Sequence, residues 1–348
     1  MHEAQPRLLN RRAWKILEAV VKDYIQTALP VGSSRIATKY NLAMSPASVR
    51  NVMAHLEGMG LLEQPYASAG RIPTDRGLRY YVDMLVEPRP LKRREKEMIQ
   101  QNYREAGGDI DGIMRETSRT LSRVTRYTSV VMAHRLAHTT FQQIAFVKLD
   151  ARRILLILIS SSGTVMNKII EEGEEFTQDD LNTASNYLNT HMQGLPLVVV
   201  KNKIAQEMEA ELTHYDRLRS RILSWSRTAL EEELTEIYID GQSNMLDQPE
   251  FAEDIDKMKA LLRAFEEKGI LIRLLDKVME ADEIQVYIGA ENEYDEMNDC
   301  SLVAMCYGRL GVPVGTVAIV GPKRMNYSRV IPIVRYTAQV VENVLESI

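Results

Sequence analysis

"SPASVRNVMAHLEGMGLL", residues 45–62, decides how the first part of this 348-residue chain folds. Ser45 followed by Pro46 is a strong helix start. A serine at the cap accepts from a free backbone amide, and a proline at the first helical position has no amide to leave unpaired. Val49, Val52, Met53 and Leu56 recur at three- and four-residue spacings and form one apolar face. Gly58 and Gly60 close the helix. The opposite face carries Ala47, Ser48, Asn51 and His55, with Arg50 on the flank. Small, weakly charged residues are an odd choice for a face that only meets water.

Working outward, the preceding residues read as two further helices. Ile16, Leu17, Val20, Val21, Tyr24 and Ile25 set a helical register over 11–27. "LPVGS" breaks it, Ser33 is placed to cap a second helix through Lys39, and "YNLAM" (40–44) is a tight connection. Downstream, "LLEQPYASAGRIPT" (61–74) turns through a small, polar tip and returns, the pattern of a hairpin. "DRGLRYYVDMLV" resumes helical spacing, and "EPRPLKRREKE" (87–97) reads as a charged, Pro-containing linker. The first module is thus expected to span residues 1–90, a helix-turn-helix followed by a hairpin, that is, a winged helix-turn-helix.

In such a unit the third helix enters the major groove of DNA. Small residues at its start allow close approach, Asn pairs bidentately with adenine, and Arg pairs with guanine or phosphate. The candidate contacts on this helix are Ser45, Ala47, Ser48, Arg50, Asn51 and His55. Tyr66, Ser68 and Arg71 surround Gly70 in the hairpin, and Thr74, Arg76 and Arg79 extend a basic strip suited to the sugar-phosphate backbone. The charge balance agrees. Residues 1–90 hold 12 Lys+Arg against 8 Asp+Glu, and the remainder holds 31 against 40. A basic module on an acidic body points to an anionic partner for the module. A winged helix that binds another protein, with Ser45-Pro46 serving as a plain cap, is the alternative left open by spacing.

The rest of the chain mixes helix and strand. Residues 109–139 read as one long helical stretch, followed by strand-like runs "FQQIAFVKLD", "RRILLILISS" and "TVMNKII". Residues 172 to about 235 are acidic and helical, and Ile204, Met208, Leu212, Tyr215, Leu218, Ile222 and Trp225 are spaced for either a helix–helix contact or an internal core. A short strand at 237–241 leads to helices over 250–280, strands at 284–289, 302–308 and 313–320, and a closing helix from Ser328. The order predicts an α+β body with a mostly helical insertion.

Other chemistries find no support. There is no GxSxG, GxxxxGK[ST] or HExxH motif. Cys300 and Cys306 give neither a disulfide framework nor a four-ligand metal site and are expected to be buried small residues. His134 and His138 lack a third ligand, and Glu291, Asn292 and Glu293 read as a solvated loop. In "GPKRMNYSRV" (321–330), Lys323, Arg324, Tyr327 and Arg329 either secure the turn before the last helix or form an anion site, the first being favoured. No apolar run approaches the ~20 residues that span a bilayer, and no signal-peptide segment is evident. The expectation is a non-enzymatic protein of the reducing cytoplasm, without cofactor, metal or membrane.

Two long stretches carry a resemblance. "PVGSSRIATKYNLAMSPASVRNVMAHLEGMGLLEQPYASAGRIPTDRGLRYYVD" (30–83) resembles the N-terminal module of the bacterial heat-shock repressor family HrcA, and "VYIGAENEYDEMNDCSLVAMCYGRLGVPVGTVAIVGPKRMNYSRVIPIV" (286–334) resembles its C-terminal signature. "YIDGQSNMLDQPEF" (238–251) is similar more loosely. The resemblance implies a winged helix-turn-helix at 1–90, a GAF-like α/β domain in two parts (91–171 and 237–348), and an inserted dimerisation domain at 172–236. It implies a homodimeric repressor of chaperone operons that binds an inverted-repeat operator in double-stranded DNA and is kept active by the GroE chaperonin. The family's recognition helix falls on Ser45–Gly58 and its wing on Gln64–Thr74, where the usual His-Thr pair stands as Tyr66 and Ala67. A GAF-type small-ligand sensor with an accessory winged helix is the rival reading.

Overall fold

The computed structural model describes residues 9–84, 89–105, 110–134, 140–150, 152–161, 165–171, 176–197, 199–200, 203, 235–281, 283–309 and 312–347. The fold is mixed α/β. In chain order the first elements are α1 (Arg11–Thr27), α2 (Ser33–Lys39), α3 (Pro46–Gly58), β1 (Leu62–Glu63), β2 (Ile72–Pro73) and α4 (Asp75–Met84). Then come α5 (Arg93–Glu105), α6 (Ile110–Thr125), β3 (Thr128–His134), β4 (Phe141–Lys148), β5 (Arg153–Ser160), β6 (Val165–Glu171) and α7 (Gln178–Met192). The chain continues through β7 (Thr235–Asp240), α8 (Pro249–Ala252), α9 (Ile255–Glu266) and α10 (Lys268–Met279). It ends with β8 (Gln285–Ile288), β9 (Cys300–Arg309), β10 (Val312–Pro322) and α11 (Tyr327–Glu346).

The chain divides into two compact units. The first comprises residues 1–131, 238–306 and 316–344, and the second 132–237, 307–315 and 345–348. In the first unit α1 is the central helix of the N-terminal module, in contact with α2, α3, α4 and β2. Its face of Ala13, Ile16, Leu17, Val20 and Val21 is buried, as are Ile36 of α2, Val49, Met53 and Leu56 of α3, and Leu78 and Tyr81 of α4, the three helices it contacts. A side chain buried in this way contributes about 1.5–3 kcal/mol from area alone. Asn10 caps α1, its side chain accepting from the amides of Arg12 and Ala13. A five-stranded sheet runs in the order β7-β3-β10-β9-β8, with β8 antiparallel to β9.

Side chains of α4 and a backbone carbonyl of α1 tie the module to the remainder of this first unit. Arg79 of α4 donates to both carboxylate oxygens of Glu291 and to the Val286 carbonyl. Lys323 pairs with Asp75 at 2.8 Å. Arg324 forks onto Glu250, with Gln248 alongside, and donates to the carbonyl of Ile25 at the end of α1. Tyr327 is buried, hydrogen-bonded to Ser301 and donating to the Lys323 carbonyl, and Arg329 reaches Glu95 and the Val124 carbonyl. The "GPKRMNYSRV" segment thus secures the turn into α11. Glu293 pairs with Lys277, and the buried Asn292 amide donates to the carbonyls of Gly289, Met297 and Cys300. These polar residues brace a loop, and among the described residues no group of His, Cys, Asp and Glu is arranged to hold a metal.

The second unit contains the antiparallel meander β4-β5-β6. One sheet face, with Ile144, Phe146, Ile154, Leu156 and Leu158, packs on Leu181, Ala184, Leu188 and Met192 of α7. The apolar spacing that begins at Ile204, and His138 of the histidine pair, lie outside the described residues.

Three expectations about element limits are corrected. Residues 109–139 are not one helix: α6 ends at Thr125, Arg126 is left-handed at φ 61°, and β-branched Thr128, Val130 and Val131 continue as strand. The residue at the cap of α2 is Gly32, with Ser33 already inside the helix. The connection at 87–97 ends early, because α5 begins at Arg93. A run of Arg, Glu and Lys is as good a helix former as a linker. Cys300 is buried, as expected, while Cys306 is only half-buried, 3.4 Å from the Ala281 carbonyl.

Candidate nucleic-acid interface

The site is built on α3 because its two faces differ so sharply. Val49, Met53 and Leu56 are buried at 0–1% exposure and fix the helix on α1 and α2. The connection from α2 turns tightly through left-handed residues Asn41 and Ala43. Ser45 caps the helix, its hydroxyl accepting from the Ser48 amide at 3.1 Å and sharing a 2.9 Å hydrogen bond with the Ser48 hydroxyl. That leaves Ser45, Ala47, Ser48, Arg50, Asn51 and His55 all exposed. Among the described residues the side chains of Arg50, Asn51 and His55 have no hydrogen-bond or ion-pair partner. The helix therefore offers an amide-rich N-terminus, a short-side-chain first turn, and free donors and acceptors one turn further.

The hairpin is fastened to this helix at its base. Leu62 pairs with Pro73 and Glu63 with Ile72. Arg71 and Val31 exchange both backbone hydrogen bonds at 2.9 Å. Gly70 permits that approach, since a Cβ there would fall 2.5 Å from the Val31 backbone. The Arg71 guanidinium is largely covered and grips Glu57 of α3, with Nε at 2.8 Å and Nη2 at 2.7 Å from the same oxygen. Thr74 caps α4: its hydroxyl donates to the Gly60 carbonyl at 2.7 Å and accepts from the Gly77 amide at 3.0 Å. Gly77 in turn lies on the Leu61 carbonyl, where a Cβ would sit at 2.0 Å. Arg76 is exposed, with Nη1 3.5 Å from the Met59 carbonyl.

The sequence-predicted residues therefore sort into two sets. Ser45, Ala47, Ser48, Arg50, Asn51 and His55 lie together on one exposed helix face, and Tyr66, Ser68 and Arg76 are exposed nearby in sequence. Arg71 and Thr74 are engaged in holding the hairpin, and Arg79 is engaged by Glu291 and Asp83. Sequence reasoning missed Asp23. It is 1% exposed on α1, and its carboxylate takes Arg35 Nε and Lys39 Nζ of α2, each at 2.6 Å. A carboxylate standing in the apolar register of α1 was the available signal.

The HrcA protein C-terminal domain matches residues 111–331. Over 338 residues the chain is 46% identical to the heat-inducible transcription repressor HrcA of Geobacter sulfurreducens, covering 97% of this chain and 98% of that protein. It is 41% identical over 341 residues to the HrcA of Syntrophobacter fumaroxidans, covering 97% and 98%. A crystal structure described as a hypothetical protein at 2.2 Å resolution superimposes with a TM-score of 0.64 at 20% identity, over 98% of this chain and 99% of that one, a likeness of fold alone. With two whole-length relatives and a domain match in agreement, the chain belongs to the HrcA family of heat-inducible transcription repressors, a family of regulators and not of enzymes.

Proposed function

We propose that the protein is a sequence-specific DNA-binding repressor of chaperone operons in which α1–α4 and the β1–β2 hairpin act as a winged helix-turn-helix. The observation that carries this reading is the exposed face of α3, where the side chains of Arg50, Asn51 and His55 have no partner among the described residues, over a fully buried Val49–Met53–Leu56 face. In this reading Ser45, Ala47, Ser48, Arg50, Asn51 and His55 meet the major groove, and Tyr66, Ser68 and Arg76 meet the flanking duplex. Arg71 and Thr74 act by holding the wing. The module covers residues 1–90, a GAF-like domain covers 91–171 and 237–348, and an inserted domain at 172–236 joins two copies into a dimer. Two-fold symmetry then matches an inverted-repeat operator, so two weak half-site contacts become one strong one. Repression is operator occlusion in the cytoplasm. Family resemblance supports the GroE chaperonin as the partner that keeps the repressor folded.

A gel-shift titration with an inverted-repeat chaperone operator and a scrambled duplex of equal length tests this. Specific binding exceeds non-specific binding by at least about 10³-fold. Arg50→Ala and Asn51→Ala each weaken operator binding about 10- to 100-fold with the fold retained, the worth of one good base contact. Equal binding to both duplexes overturns the reading. Chaperonin added during warming raises the operator-binding fraction. No effect removes GroE from the scheme.

A further inference from the structure

We propose that Tyr66 reads the minor groove flanking each half-site, which makes the wing tip a second sequence-specific contact in place of a phosphate clamp. The inference rests on the DNA-binding reading above and assigns a groove and a base preference to one residue of it.

The tip, Gln64-Pro65-Tyr66-Ala67-Ser68-Ala69-Gly70, contains no ionisable cation. The next guanidinium along the chain, Arg71, is held by Glu57 at the hairpin base. A loop built to hold phosphates is usually supplied with Lys or Arg. This one presents a phenol ring that is 66% exposed, flanked by the small residues Ala67, Ser68 and Ala69.

The tip is also stiff. The Ala69 amide donates to the Tyr66 carbonyl at 3.0 Å, and the Gln64 side-chain amide donates to the Ala69 carbonyl at 3.0 Å. Ser68 is left-handed at φ 71°. Below the tip, the Arg71–Val31 backbone pair and the Arg71–Glu57 ion pair hold the loop to the α1–α2 connection and to α3. The ring is therefore carried on a braced turn, and ordering it on a ligand costs little further entropy.

The chemistry of the ring then selects its target. The minor groove is about 6 Å wide, which a ring entering edge-on can occupy between the sugar walls. On its floor A·T and T·A pairs present only the acceptors N3 and O2, whereas G·C adds the guanine N2 amino group. A phenolic O–H donates to those acceptors and is blocked by the amino group. Tyr66 therefore favours A·T pairs in the flank, and the small neighbours let the backbone follow the groove.

The test is selection from a random duplex library with the full chain, either wild type, Tyr66→Ala or Tyr66→Phe. Wild type yields an inner consensus read by α3 and an A·T preference in the flank. Tyr66→Ala keeps the inner consensus and loses the flank, and Tyr66→Phe keeps the inner consensus while its flank preference shrinks. On the selected site, diaminopurine·T in place of flanking A·T lowers wild-type affinity about tenfold, whereas inosine·C, which keeps the bare minor groove, costs less than about twofold. A flank preference unchanged in Tyr66→Ala overturns the inference. So does a uniform loss across all sequences, which makes Tyr66 a phosphate contact. A wild-type selection without any consensus instead overturns the DNA-binding reading on which the inference rests.

Discussion

Ser45 carries two roles that substitution can separate. Its hydroxyl caps α3 through the Ser48 amide, and it is exposed at the start of the face assigned to DNA. Removing the cap with Ser45→Ala costs about 1 kcal/mol. Ser45→Asp keeps an N-cap acceptor and adds a favourable interaction with the helix dipole, so thermal stability is equal or higher. The same carboxylate faces the phosphates and weakens operator binding. The expected pair of results is an unchanged or raised melting temperature with at least a tenfold loss of operator affinity. A variant that melts normally and binds normally removes Ser45 from the interface. Gly70 gives the complementary case, a residue with no side chain on which the wing depends. Gly70→Ala forces a Cβ onto backbone atoms of Val31 that cannot swing aside. Overpacking of this kind costs about 1–3 kcal/mol. The melting temperature falls, and the wing's contribution to binding falls with it.

At the scale of elements, the orientation of α2 depends on Asp23 as much as on Ile36. Both Arg35 and Lys39 converge on one buried carboxylate, so α2 is pinned to α1 by charge as well as by packing. Asp23→Asn is expected to lose about 1.5–3 kcal/mol, the range for hydrogen bonds to charged groups. It also makes the module one charge more positive. If attraction to DNA dominated, affinity would rise. With α2 acting as the support of α3, affinity falls while the slope of log affinity against log salt stays the same. A raised affinity in a gel shift sinks the supporting role. How much of this was legible from sequence depends on the range of the interaction. The limits of α3 were legible because Ser45-Pro46 and Gly58 act within a few residues, and the hairpin because its turn is rich in small residues. Strand β3 was misread as helix because the break falls at Arg126, a left-handed residue whose type gives no warning. The occupation of Arg71 by Glu57 and of Arg79 by Glu291 was not legible. Those partners lie 14 and 212 residues away, and no periodicity reaches them. The missing information is tertiary, and it changed which arginines remain free to meet a ligand.

For the molecule as a whole, the pattern of buried ionisable groups fixes where on the pH scale the fold fails. Burial pushes the phenols of Tyr24, Tyr81, Tyr127 and Tyr327 above the usual tyrosine value, Tyr81 up to about 12. Burial likewise raises the Cys300 thiol. All five groups belong to the same compact unit. In each, folding disfavours the charged, deprotonated form, so the unfolded chain releases its protons first, near pH 10 for tyrosine. The tyrosines' contribution is complete below that pH, whereas that of Cys300 begins to be lost as pH rises through about 9. As pH rises from about 10 toward 12 the unfolded state binds fewer protons than the folded one, and stability falls. The shared direction makes this cumulative, so the unit is expected to unfold cooperatively in alkali. Tyrosinate absorbance near 295 nm should therefore rise together with loss of far-ultraviolet dichroism, and the Cys300 thiol should become reactive in the same window. Tyr81→Phe keeps the buried ring and deletes one of the protons, so the alkaline midpoint moves up while the melting temperature at pH 7 changes little. Smooth tyrosine titration centred near pH 10 with unchanged dichroism would mean that these phenols are open to water in solution, contrary to the packing of α1 and α4 around Tyr81.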